Sequence, residues 1–137
     1  FELAPGEALI YETEIPKECR YWNVQLTDML WGVIDWPNRQ TSLNGHSGLI
    51  DKDGIFRAVI SAQDPGVPNW LDTAGLRSGA ILGRWTHCSS YPVPKVTKVQ
   101  LSSLRQHLLA DTPNVTAAER DAQLRARRTA VQLRRRW

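Results

Sequence analysis

The chain has 137 residues, 42% of them hydrophobic and 23% charged, enough to bury one core and too few for two ordinary domains. Its formal charge of +3 is unevenly spread: residues 1–116 hold ten Lys and Arg against twelve Asp and Glu, while residues 117–137 hold seven Arg against Glu119 and Asp121. No apolar run approaches the ~20 residues that span a bilayer, and Phe1 to Pro5 carries no basic-then-apolar leader, so the expectation is a soluble, cytoplasmic piece of a longer protein whose true N-terminus lies upstream of Phe1.

Ala8 to Glu14 reads as a strand, and Tyr21 to Leu26 alternates Trp22, Val24 and Leu26 with Tyr21, Asn23 and Gln25 as a half-buried strand does. From Thr27 to Arg39, Met29, Leu30, Val33 and Ile34 have helical spacing but Gly32 and Trp36-Pro37 interrupt it, which admits a short helix or an irregular aromatic loop. Ser47 to Ile50 and Ile55 to Ile60 flank Asp51-Lys52-Asp53-Gly54, where Gly54 can close a hairpin with a bulge. Ile55 to Ile60 is apolar at both parities except at Arg57, the pattern of a central strand covered on both faces, and Ala80 to Thr86 has the same look.

Between these two strands lies DPGVPNWLDTAG, Asp64 to Gly75, inside a connection running from about Ser61 to Gly79. Pro65 and Pro68 extend the residues before them, and Gly66 and Gly75 permit positive φ, so the connector is stiff and ordered. Loops of this length are either functional or disordered. Val96 to Leu101 is a more polar strand, placed at an edge by Lys95 and Lys98.

Beyond Leu101 the period changes. Leu101, Leu104 and Leu108 mark a short helix, and Thr116-Ala117-Ala118-Glu119 is a capping box opening a helix from about Ala117 to Arg135. Ala118, Ala122, Ala126 and Ala130 fall at four-residue steps, joined by Leu133 and Trp137, in a small-residue stripe suited to the body, a missing part of the protein or an identical chain. The expected architecture is mainly β: an antiparallel β-sandwich or jelly-roll-like body over residues 1–101, with a helical, Arg-rich extension over residues 102–137. Cys19 and Cys88 each sit beside a predicted strand, which allows either a disulfide or two structural thiols.

Asn38-Arg39, Ser42, Asp53-Gly54, Asp64-Pro65-Gly66, Asn69-Trp70-Leu71 and Arg84-Trp85 occur in one order over Tyr21 to Trp85. In this the chain resembles the C-terminal signature of the family called domain of unknown function 1214, and YWNVQL with DPGVPNWLDTAG resembles its actinobacterial branch. The resemblance implies a β-rich, jelly-roll-like domain that ends a longer protein, often after a companion domain of unknown function 1254, and it supplies no catalytic residues to carry over.

Six tryptophans are the main candidate binding chemistry, since flat amphipathic rings can seat a sugar ring or an apolar chain; core packing is the competing role. Trp31 and Trp36 lie in the ambiguous segment and are the expected exposed pair, with Asn69, Trp70 and Arg39 completing a candidate ligand site; Trp70 also reads as the plug of its own loop. Asp64 and Asp72, with Arg84 or Arg39, could form an acid/base pair for hydrolysis, against which Asp64 would serve the Pro-Gly turn and Asp72 the turn at Thr73-Ala74.

His46, His87 and His107 have no metal-ligand spacing, and no phosphate loop, nucleophile elbow or dinucleotide fingerprint is present. No metal, cofactor or nucleic acid is expected. The favoured function is an accessory domain that binds a small amphipathic ligand, sugar or lipid-like, or a partner subunit through its Trp-rich loops. A hydrolase using Asp64 and Asp72, and an assembly module or homo-oligomer built on the Ala stripe, are the alternatives.

Overall fold

The computed structural model describes residues 1–134. Seven strands precede the helical end: β1 (Glu7–Glu14), β2 (Cys19–Thr27), β3 (Ser42–Asn44), β4 (Ile55–Ser61), β5 (Trp70–Asp72), β6 (Ala80–Cys88) and β7 (Lys95–Gln100). A 3-10 helix, Leu101–His107, and α1, Ala117–Gln132, follow. The strands form two sheets, ordered β5-β4-β1-β7 and β3-β2-β6. The fold is thus mainly β with a helical C-terminal extension.

Alternation decides what each sheet buries. Leu9 and Tyr11 of β1 and Phe56, Ala58 and Ile60 of β4 meet Trp22, Val24 and Leu26 of β2 and Leu43 of β3 in one core. Trp22 meets Phe56 edge to face, with ring centroids 4.8 Å apart. Gly48 passes so close to both rings that a Cβ there would lie 2.9 Å from each, which accounts for glycine at this place. The other face of the larger sheet carries Ala8, Ile10, Val59 and Val99, covered by Val67 of the connector and Leu104 of the 3-10 helix. β4 is therefore the central, doubly covered strand that its sequence predicts, and β7 is an edge whose Lys98 reaches Glu7 at 3.0 Å.

Three sequence expectations change in detail, and two alternatives left open are decided. Pairing is not wholly antiparallel, because β5 runs parallel to β4; this strand occupies what reads as loop, since three residues of pairing leave too short a signal between the flanking turns. Thr27 to Arg39 contains no helix. The Asp28 carboxylate accepts from Leu30 N and Gly32 N, at 2.9 and 2.7 Å, and holds an irregular loop in its place.

β6 is an edge strand of the smaller sheet with no fully buried residue, unlike the covered strand that Ile81, Leu82 and Trp85 suggest; among the described residues only β2 pairs with it. Ser47 to Ile50 forms no strand, because the Asn44 side chain draws His46 N and Ser47 N into a turn, leaving the single bridge of Ile50 to Phe56. The Asp51–Gly54 turn is present, with Gly54 at φ 82°. Cys19 and Cys88 lie directly opposite on β2 and β6 and are joined in a disulfide.

Candidate functional site

The connector is held by its own polar side chains. Asp64 accepts from Gly66 N at 2.8 Å and Asp72 from Ala74 N at 2.7 Å, the turn roles that their neighbours in sequence suggest. Buried Trp70 plugs the loop and donates its indole N–H to Ser61 O at 3.1 Å. Buried Asn69 behaves as an extra strand residue: its Oδ1 accepts from Leu49 N at 2.8 Å, and its Nδ2 donates to Leu49 O at 2.6 Å and Arg57 O at 2.7 Å. Asn69 and Trp70 thus spend their polar atoms on holding the connector.

The proposed acid/base set is engaged with three different partners. Asp72 pairs with Arg39 at 2.9 Å and Asp64 with Arg120 at 2.8 Å, while Arg84, on the smaller sheet, donates to Gln25 at 2.9 Å. Each carboxylate has its own guanidinium and its own turn amide. Among the described residues, no group of His, Cys, Asp and Glu is placed to hold a metal ion.

α1 begins as its sequence predicts. Thr116 Oγ1 accepts from Glu119 N at 3.2 Å, and the Glu119 carboxylate accepts from Thr116 N at 2.7 Å. Its contact with the body differs from the expected Ala stripe: Ala118, Ala122, Ala126, Ala130 and Leu133 are all exposed, and Trp137 lies outside the described residues. A different face makes the contact instead, with arginines at seven-residue steps and half-buried Leu124 and Val131 between them. Arg120, only 4% exposed, meets Asp64, Gln40 Oε1 and Val67 O and stacks over Trp70 with its guanidinium carbon 5.2 Å from the ring centroid.

Arg127 donates to Trp36 O and Ser42 Oγ, both at 2.7 Å, and Arg134 lies over the Trp36 ring at 4.9 Å. The i, i+7, i+14 spacing was available in the sequence as a single helix face. The other missed residue, Gln40, is buried and donates to Pro68 O and Trp70 O at 3.0 and 2.6 Å; nothing in its local sequence marks it.

Held off by these long side chains, α1 leaves an open groove of about 890 Å³ against the outward face of the smaller sheet. Register builds its floor. Asn23 lies opposite Asn44 on β3 and Arg84 on β6, and Gln25 lies opposite Ser42, so amides, a hydroxyl and a guanidinium share one face. Trp36, Arg127 and Arg134 form the wall with Ala126 and Ala130. Asn23 is buried, and its Oδ1 has no hydrogen-bond partner among the described residues, an unspent acceptor beneath the groove.

Of the tryptophans expected at a ligand site, Trp36 lines this groove, whereas Trp31 stands on the Asp28 loop at φ 66° and 68% exposed. Met29, Leu30 and Val33 are exposed beside it.

Hydrogen bonds from the Thr116 backbone and then its hydroxyl hold the Glu119 carboxyl below its ordinary value of 4.5. A lowered carboxyl stabilises the fold above its unfolded pKa, and that contribution is lost as pH falls through the folded value. Helical content of α1, followed by circular dichroism, is therefore expected to drop as pH falls below about 4.5, and Glu119→Gln to remove that step; an unchanged acid transition in the variant would contradict the assignment.

No protein-family model matches the chain, and no curated protein matches it. The crystal structure of an uncharacterized protein from Burkholderia cenocepacia is similar to 74% of this chain, with 35% identity and a TM-score of 0.71. The chain spans 28% of that protein's length. Among the described residues, no helix is long and apolar enough to cross a membrane.

Proposed function

We propose that this chain is a binding domain of a longer protein, of the kind that resembles domain of unknown function 1214, and that the groove beneath α1 takes a small hydroxyl-rich ligand of the sugar class. The observation that carries the reading is the groove itself: an amide and hydroxyl floor at Asn23, Gln25, Ser42 and Asn44, beside the indole of Trp36. Neutral amides and hydroxyls match ring hydroxyls as donors and acceptors, and an aromatic wall matches the apolar face of a sugar ring.

A fatty chain fits this floor poorly, because it would cover polar groups without replacing their hydrogen bonds. The separate engagement of Asp64 and Asp72 favours binding over hydrolysis. The Cys19–Cys88 bond suits an oxidising compartment better than the cytoplasm.

Screening the full chain against immobilised mono- and oligosaccharides tests this reading. Gln25→Ala, at an incompletely buried position, is expected to weaken any captured sugar by ~10-fold with melting temperature nearly unchanged, and Asn44→Ala to weaken it likewise while also lowering the melting temperature, because its side chain holds the turn at His46 and Ser47. Absence of any captured sugar, or capture indifferent to both substitutions, would reject it.

A second reading concerns the Asp28 loop. Leu30 is 89% exposed beside exposed Met29, Trp31 and Val33, on a loop fixed by the Asp28 carboxylate. Such a knuckle suits burial against another protein surface. A separate region of a longer polypeptide is the proposed occupant, because the similar Burkholderia protein is more than three times the length that this chain spans. Trp31→Ser in the longer protein should then loosen the domain contact, seen as faster amide exchange in the loop and its partner region; equal exchange in both proteins would count against it.

A further inference from the structure

The groove carries arginines on its floor and its wall, and among the described residues no carboxylate lines it. Arg84, Arg127 and Arg134 all line it, and no Asp or Glu is among its lining residues. Arg39, Arg57, Arg120 and Arg125 each meet a carboxylate, whereas the three groove arginines, like Arg105 outside the groove, meet neutral groups. Arg84 donates to the Gln25 amide, Arg127 to Trp36 O and Ser42, and Arg134 rests on the Trp36 ring.

Arg127 is the informative member. It is half-buried, and desolvation lowers its pKa without an opposing carboxylate among the described residues. A partly dehydrated guanidinium with neutral acceptors has strong unspent attraction for an oxyanion, and guanidinium groups bind carboxylate and phosphate through paired hydrogen bonds. Arg84 stands across the floor on β6, so an anion entering the groove meets cations from the sheet and from the helix.

Resting on the reading of this groove as the ligand site, we infer that its ligand is anionic: a hydroxyl-rich molecule bearing a carboxylate or phosphate, with the oxyanion held by Arg84 and Arg127 and the hydroxyls by the amide floor. Arg134 adds charge at the Trp36 wall. The inference covers uronate-like and phosphosugar-like ligands alike, and separate probes distinguish them.

Calorimetric titration of the full chain supplies the test, using galactose against galacturonate, glucose against glucose 6-phosphate, and inorganic phosphate alone. At least one charged sugar is expected to bind ~10-fold or more tightly than its neutral counterpart, and the preference to shrink between 50 and 200 mM salt, as for any charge-assisted contact. Which pair shows the preference separates carboxylate from phosphate. Arg84→Met, at an exposed side chain whose loss spares the core, should cut the preference to ~2-fold, and Arg127→Gln should do the same.

Equal affinity for charged and neutral members would overturn the anionic inference and leave the sugar groove standing. Phosphate bound without any sugar, and lost in Arg84→Met, would uphold the oxyanion site and reject the sugar class. Phosphate binding unaffected by both substitutions would place it elsewhere and overturn the inference; failure of every probe would reject both readings.

Discussion

The guanidinium of Arg120 ties together the parts of this molecule that the sandwich alone does not hold. It sits almost wholly out of water and meets Asp64 at the start of the connector, Val67 O within it, Gln40 before β3 and the face of Trp70. A buried cation costs several kcal/mol unless its donors are matched, so all of these partners must be in place together. Gln40 extends the same network by holding Pro68 O and Trp70 O. The connector's shape and the docking of α1 are consequently one constraint, expressed through one residue.

This attachment determines the space beside it. A helix packed through Leu or Ala comes within 8–10 Å of its neighbour's axis and fills the interval with its own side chains. α1 reaches the body through Arg120, Arg127 and Arg134, whose long stems keep it at a distance, and it leaves its alanines exposed. The groove is the geometric result. Its polarity follows from β2, which spends Trp22, Val24 and Leu26 on the core and so must turn Tyr21, Asn23 and Gln25 toward α1. The same alternation that stabilises the sandwich thereby furnishes the amide floor.

Much of the fold was legible because its signals are local. The alternation in β2, the two-sided burial of β4, the Gly54 turn and the Thr116–Glu119 box each depend on residues within a few positions of one another. β5 escaped because three residues of parallel pairing carry no periodicity, and the exposure of β6 because its apolar residues give no sign of which strands flank it. The site was less legible. The tryptophans drew attention to Trp31, Trp36 and Trp70, yet of these only Trp36 lines the groove: Trp31 stands on the Asp28 loop and Trp70 is spent inside the connector. Side-chain partners such as Arg120 with Asp64, 56 residues apart, are set by tertiary approach. The seven-residue arginine spacing was readable, but charge runs on a helix ordinarily mean a solvated face, and only the docked geometry shows that this one is turned inward.

The central claim is that the arginines, more than the half-buried Leu124 and Val131 between them, hold α1 over the groove. Amide hydrogen exchange across the full chain, with Arg120→Met compared with the unaltered protein, tests it most directly. The account predicts that α1 and the Asp64–Gly75 connector lose protection together while β1, β2 and β4 keep theirs. Unchanged protection of α1 in the variant would contradict the account and return the helix to ordinary apolar docking.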